Sequence, residues 1–148
     1  MYQESINQYL NKYGYDRIHL KAVLFDMDGV LFNSMPNHAS SWNKVMERMG
    51  FGLSEQEAYM HEGRTGADTI NIISRRERGY DATEEEIKTI YAAKAEEFNK
   101  CPEAPRMPGA LEVVQKIKND GIIRMVVTGS GQVSLLERLN RNFPDIFQ

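Results

Sequence analysis

The stretch 24-LFDMDGVLFNS-34 sets two aspartates two residues apart, directly behind an apolar run and directly before a glycine. The run KAVLF at 21–25 is short and nearly continuous in apolar character, the pattern of a strand buried on both faces of a parallel sheet. Side chains alternate along a strand, so Asp26 and Asp28 leave its carboxyl end on the same side. In open α/β sheets that end is where ligands bind. Two carboxylates held close repel each other, and the site favours a cation or a shared proton between them. Mg²⁺ suits such a place, because it prefers oxygen ligands and keeps waters that phosphate oxygens can replace. An aspartate can also attack phosphorus and divide one hard step into two easier ones. Gly29 lets the backbone turn sharply away.

A second apolar run, IIRMVV at 122–127, predicts a second buried strand, and TGSG follows it at 128–131. Thr128 sits where a hydroxyl could reach the same carboxyl edge, while Gly129 and Gly131 leave backbone N–H groups open at a helix start, a ready anion site. Either feature alone is weak. A lone DxD is commonly a solvated turn, and TGSG is commonly a plain connection between strand and helix. Their weight comes from occurring together, each at the end of an apolar strand.

Between the strands the pattern turns helical. A short amphipathic helix is expected at 4–12, before the first strand. After it, helices are expected from His38 to Met49, from a capping box at Ser54 and Glu57 to about His61, from Asp68 through Ile73, and from a capping box at Thr83 and Glu86 through Phe98. CPEAPRMPG at 101–109 contains three prolines and reads as a linker. A helix follows at 109–119, then the second strand, then a helix to about Asn142. This order predicts an α/β core formed by residues 1–35 and 106–148, with an inserted helical unit at 36–105.

Composition narrows the function classes. The chain has 148 residues, a net charge of −3 and no basic stripe, which argues against a nucleic-acid footprint. Cys101 is the single cysteine, so no disulfide forms within the chain, in keeping with a reducing cytoplasm. No run approaches the roughly 18 apolar residues a membrane span needs.

DMDGVLFNS at 26–34 and VVTGS at 126–130 resemble the first and second signatures of the haloacid dehalogenase-like hydrolases. The inserted helical unit is similar to that family's helical cap, and the chain looks closest to the β-phosphoglucomutase-like and phosphoglycolate phosphatase-like group. The resemblance implies a partial Rossmann-like parallel-sheet core and a Mg²⁺-dependent phosphatase acting on a small phosphorylated metabolite. A sugar phosphate mutase is the alternative. Asp26 would be the nucleophile and a metal ligand. Asp28 would be the general acid and base, its carbonyl also reaching the metal. Thr128, Gly129 and Ser130 would hold the transferring phosphoryl group. His38 lies where β-phosphoglucomutases carry a histidine near the hinge, although a surface histidine capping the first cap helix fits equally. Trp42 could line the substrate pocket or pack the cap, and Arg64 could reach a substrate phosphate or stand exposed in its loop.

Two departures qualify the resemblance. Asn33 stands where the group usually has Asp, and no arginine sits at the offset where mutases hold the distal phosphate, which favours the phosphatase. The lysine and the acidic pair that complete the family's site are not found after the second strand. Lys116 and Lys118 precede that strand and cannot serve. The chain is therefore expected to be a fragment, or to need an oligomer partner or a missing C-terminal segment to finish its sheet. A non-catalytic binding domain stays open as a reading, as does a simple cation site in an unrelated α/β domain.

Overall fold

The computed structural model describes residues 2–129 and 135–147. In chain order the elements are α1 (Tyr2–Tyr13), β1 (Ala22–Phe25), α2 (Met35–Arg48), α3 (Glu55–Met60), α4 (Gly66–Arg78), α5 (Glu84–Asn99), α6 (Ala110–Asn119), β2 (Ile123–Val126) and α7 (Leu135–Asn142). The two strands pair in parallel, with Ala22 opposite Ile123 and Phe25 opposite Val126. The carboxyl ends of both strands therefore lie side by side. The α/β class follows from this parallel pair and its connecting helices.

Two clusters of buried residues stand out among the described residues. One gathers Phe25 of β1, Phe32 of the following turn, Val114 of α6, and Leu139, Phe143 and Ile146 around α7. Phe32 is fully buried and meets Phe143 edge to face, with ring centroids 5.6 Å apart. Each such phenyl ring contributes roughly 1.5–3 kcal/mol by leaving water. The other cluster joins α2, α3, α4 and α5 through Val45, Met46, Ala58, Ile70, Ile73 and Ile90. The chain crosses between the clusters twice, and the crossings touch: the Asn33 N–H donates to the Pro105 carbonyl at 2.9 Å, and the Met107 N–H to the Leu31 carbonyl at 2.9 Å.

The strands are half-buried rather than buried on both faces as expected. Phe25 faces the core, but Leu24, Ile123 and Met125 are 62%, 59% and 51% exposed. Helix α6 packs on β2 and covers one face of the sheet, while α1 has no buried residue and covers neither. An apolar run reports the capacity for burial on both faces; only neighbouring elements supply it.

Helix starts also differ in detail. Helix α2 begins at Met35, not His38, because Pro36 is tolerated in a first turn, where its missing N–H has no intrahelical partner to lose. Thr65 caps α4 in place of Asp68: its extended backbone lets its hydroxyl accept the Asp68 N–H at 3.1 Å and donate to Asp68 Oδ2 at 2.7 Å. Ser54 caps α3 from one side only, since the Glu57 carboxylate is engaged by Arg76. At Thr83 both halves of the capping box form.

Candidate active site

Asp26 follows β1 directly, where the strand's hydrogen bonding ends, and its Oδ1 accepts the Met27 N–H at 2.7 Å. That bond orients an otherwise exposed carboxylate. The backbone then folds into a tight turn. Gly29 adopts φ +75° there and donates its N–H to the Phe32 carbonyl at 2.8 Å, a conformation that L side chains strain.

The turn returns Ser34 beneath Asp28. The fully buried Ser34 hydroxyl donates to Asp28 Oδ1 at 2.5 Å. His38, one turn into α2, brings Nε2 to 3.3 Å from the same oxygen, within ion-pair reach but off the line of a hydrogen bond. Burial alone would raise the Asp28 pKa. The contacts from His38 and Ser34, with the charges of His38 and Arg138, outweigh it and hold the carboxyl below its ordinary value. Asp28 thus rests as an anion.

Behind His38 stands Lys94 of α5. Its Nζ lies 2.8 Å from His38 Nδ1. An ammonium only donates, so Nδ1 is the acceptor in this pair. Lys94 is 7% exposed, with its nitrogen 4.8 Å from the Phe98 ring centroid and 5.7 Å from that of Trp42. Burial lowers its pKa, opposed by the charges of Asp28, Glu62 and Cys101. Partial burial conversely raises Glu62, with His38 opposing and the Asp28 and Asp26 charges adding to it.

These groups open onto one cavity of about 980 Å³, walled by Asp26, Asp28, Thr128 and Gly129 at the strand ends and by α2, α5 and the 61–66 loop opposite. His38, Trp42 and Arg64 all line it. The His38 side chain does not cap α2; the N-cap position belongs to Ser34. Ser130 lies outside the described residues.

Sequence reasoning missed Lys94, Glu62 and Tyr91, which share this cavity. A signal existed for Lys94. Tyr91, Lys94, Ala95 and Phe98 fall one helical stripe apart, and a lysine inside an aromatic stripe is the unusual member.

The family profile described as haloacid dehalogenase-like hydrolase matches residues 23–147. The chain belongs to the haloacid dehalogenase-like hydrolases. It is 74% identical to a Bacteroides vulgatus protein whose provisional name is β-phosphoglucomutase, over 98% of this chain and 58% of that one, with a TM-score of 0.90. It is 27% identical to the phosphorylated carbohydrates phosphatase of Thermotoga maritima, over 82% of this chain and 56% of that protein. The β-phosphoglucomutase of Clostridium difficile shares the fold at a TM-score of 0.69 and 19% identity, over 88% of this chain and 60% of that one. The chain thus spans a little over half the length of these proteins. No helix among the described residues is long and apolar enough to cross a membrane.

Proposed function

We propose that this chain carries the nucleophile and the proton shuttle of a Mg²⁺-dependent phosphatase acting on a small phosphorylated carbohydrate through an aspartyl-phosphate. The observation that supports it most is the arrangement around Asp28: a carboxylate held by Ser34 and His38, with Lys94 behind, facing the same cavity as Asp26 and Thr128.

The donor set suits the metal. At the strand ends the chain offers hard oxygen donors, the Asp26 carboxylate and the Asp28 main-chain carbonyl, and Mg²⁺ is commonly held by one or two carboxylates with water and phosphate oxygens completing its shell. Among the described residues no group of three or more acidic, histidine or cysteine side chains is arranged to hold a metal ion by itself, so water and phosphate oxygens would complete the shell. When bound, the ion supplies charge neutralisation to the phosphoryl oxygens.

In the first step an Asp26 oxygen bonds to phosphorus while the bond to the leaving oxygen breaks, and Asp28 gives that oxygen its proton. An incoming phosphate brings like charge next to Asp28 and raises its affinity for the proton it must carry. In the second step Asp28 takes a proton from water as the water bonds to phosphorus. The Asp26–phosphorus bond breaks, phosphate leaves and Asp26 is restored. Thr128 and the Gly129 N–H, and by sequence Ser130, would hold the phosphoryl oxygens in a largely dissociative transition state. We assign residues 1–35 and 106–148 to the core and 36–105 to the cap. On this division the touching crossings at Asn33–Pro105 and Leu31–Met107 form the hinge, and Asp28, His38 and Lys94 link the two parts.

Release of inorganic phosphate from hexose phosphates and p-nitrophenyl phosphate with Mg²⁺ tests the reading. Loss of turnover by about a thousandfold in Asp26→Asn is expected for removal of a nucleophile. Turnover that survives this change would falsify the assignment. The Bacteroides relative favours a second reading, a sugar phosphate mutase; isomerisation of β-glucose 1-phosphate without steady phosphate release would select it. Binding of sugar phosphates with neither reaction would select a binding domain.

A further inference from the structure

We infer that Tyr91 is the specificity-determining wall of this cavity, forming with Trp42 a two-sided aromatic corner that takes the apolar face of a pyranose ring. The inference rests on the phosphorylated-carbohydrate reading above and names the residue that would recognise the ring.

Three observations carry it. Tyr91 lies on α5, one turn before Lys94, and lines the cavity while remaining 48% exposed. An aromatic ring left that open inside a cavity has a face to offer. Trp42 of α2 stands beside it, ring centroids 6.4 Å apart and planes inclined at 57°, so the two rings form a corner rather than a stack on each other. Thirdly, Tyr91 is seated against the backbone of Gly66 at the start of α4, and a Cβ added at Gly66 would overlap Cδ2 and Cε2 of the Tyr91 ring. Glycine at 66 is therefore what allows the ring its place, and any side chain there would push it out.

A sugar ring presents C–H groups on one face and hydroxyls around its rim. The C–H face gains dispersion contacts from an aromatic surface, and the rim needs hydrogen-bonding groups. Polar groups share the cavity with this corner: Lys94 lies 5.7 Å from the Trp42 ring centroid, and Glu62 and Arg64 line the same cavity. His61 lines it too, its ring nitrogens buried without a hydrogen bond among the described residues and its Nε2 3.7 Å from the Glu57 carboxylate. A short acyclic phosphate such as phosphoglycolate offers no ring face and has no use for the corner.

Trp42 is the only tryptophan in the sequence, so its fluorescence reports this cavity alone. The 148-residue chain is titrated with β-glucose 1-phosphate and with 2-phosphoglycolate, and the ratio of the two affinities is read. Tyr91→Ala is expected to cut the preference for the hexose phosphate about tenfold, and Tyr91→Phe to keep it, since the face rather than the hydroxyl is used. Gly66→Ala is expected to act like Tyr91→Ala, and the double variant to lose no more than either single one. Circular dichroism checks the folds, and the half-exposed Tyr91 gives a variant that does not depend on tolerance at Gly66. A ratio within about twofold of the parent in Tyr91→Ala overturns the inference, as does an equal loss in Tyr91→Phe. Phosphate release measured on the same samples reads the reaction separately: release without ring preference overturns the role of Tyr91 alone, and ring preference without release keeps that role and selects the binding-domain reading for this chain.

Discussion

At the residue scale one side chain of the cavity, Lys94, is held against stability. Lys94 is buried against aromatic rings with a lowered pKa, and nothing in ordinary packing calls for a lysine there. Lys94→Met should raise thermal stability, by about 1–2 kcal/mol, because it removes a desolvated cation and leaves a flexible apolar chain of similar length. The same variant should lower turnover at least tenfold by freeing His38 beside Asp28. Calorimetry and phosphate release check the two halves, and a lower Tm would sink the idea that Lys94 is costly. Glu97 and Glu86 behave in the opposite sense. Hydrogen bonds from Lys100 and then Arg48 hold Glu97 at about 2, and Arg78 followed by the Thr83 N–H holds Glu86 at about 2. Both folded values lie below the ordinary 4.5, so their support is complete above that pH and is lost as pH falls toward about 2. Glu97→Gln should flatten the loss of stability across that window in urea titrations; an unchanged acid slope would refute it.

At the scale of elements, α5 matters most, since one helix presents Tyr91, Lys94 and Phe98 to the cavity. Its start is fixed by a complete capping box, with the Thr83 hydroxyl accepting the Glu86 N–H at 3.2 Å and the Glu86 carboxylate accepting the Thr83 N–H at 2.8 Å. Thr83→Ala should cost about 1 kcal/mol in chemical unfolding, while Thr83→Ser should recover most of it. Helix α4 ends on Gly79 at φ +83°, where the N–H still reaches the Arg75 carbonyl at 2.9 Å. Gly79→Ala should therefore cost about 1 kcal/mol through backbone strain alone, as no atom stands within 4 Å of an added Cβ. A neutral result would show that the backbone relaxes.

At the scale of the molecule, the sheet sets a liability. Two parallel strands carry Leu24, Ile123 and Met125 on open positions, with Val127 just beyond β2, and among the described residues no further strand pairs with their outer edges. Such a face promotes association between copies. The 148-residue chain should show a concentration-dependent increase in mass by light scattering, reduced in Met125→Lys, whose side chain is 51% exposed and displaces no core contact. A mass independent of concentration in the parent would contradict this.

The sequence by itself determined the family and the order of elements. DMDG after one apolar strand and TGS after another are local patterns, because a strand, a turn and a following helix are written in neighbouring residues. The Thr83 capping box was legible for the same reason. What the sequence left open depends on distant neighbours. Whether Leu24 is buried is decided by what covers the sheet, and Thr65 replaced Asp68 as a cap because its backbone entered the turn extended. The join of Asp28 to His38 and Lys94 spans 66 residues of chain, and Gly66 makes room for Tyr91 from another helix. Only tertiary structure could settle these, since side-chain contacts are short-ranged and long separations along the chain carry no period to read. The opening stretch thus set two carboxylates at the end of β1; the packing of α2, α4 and α5 decided what surrounds them.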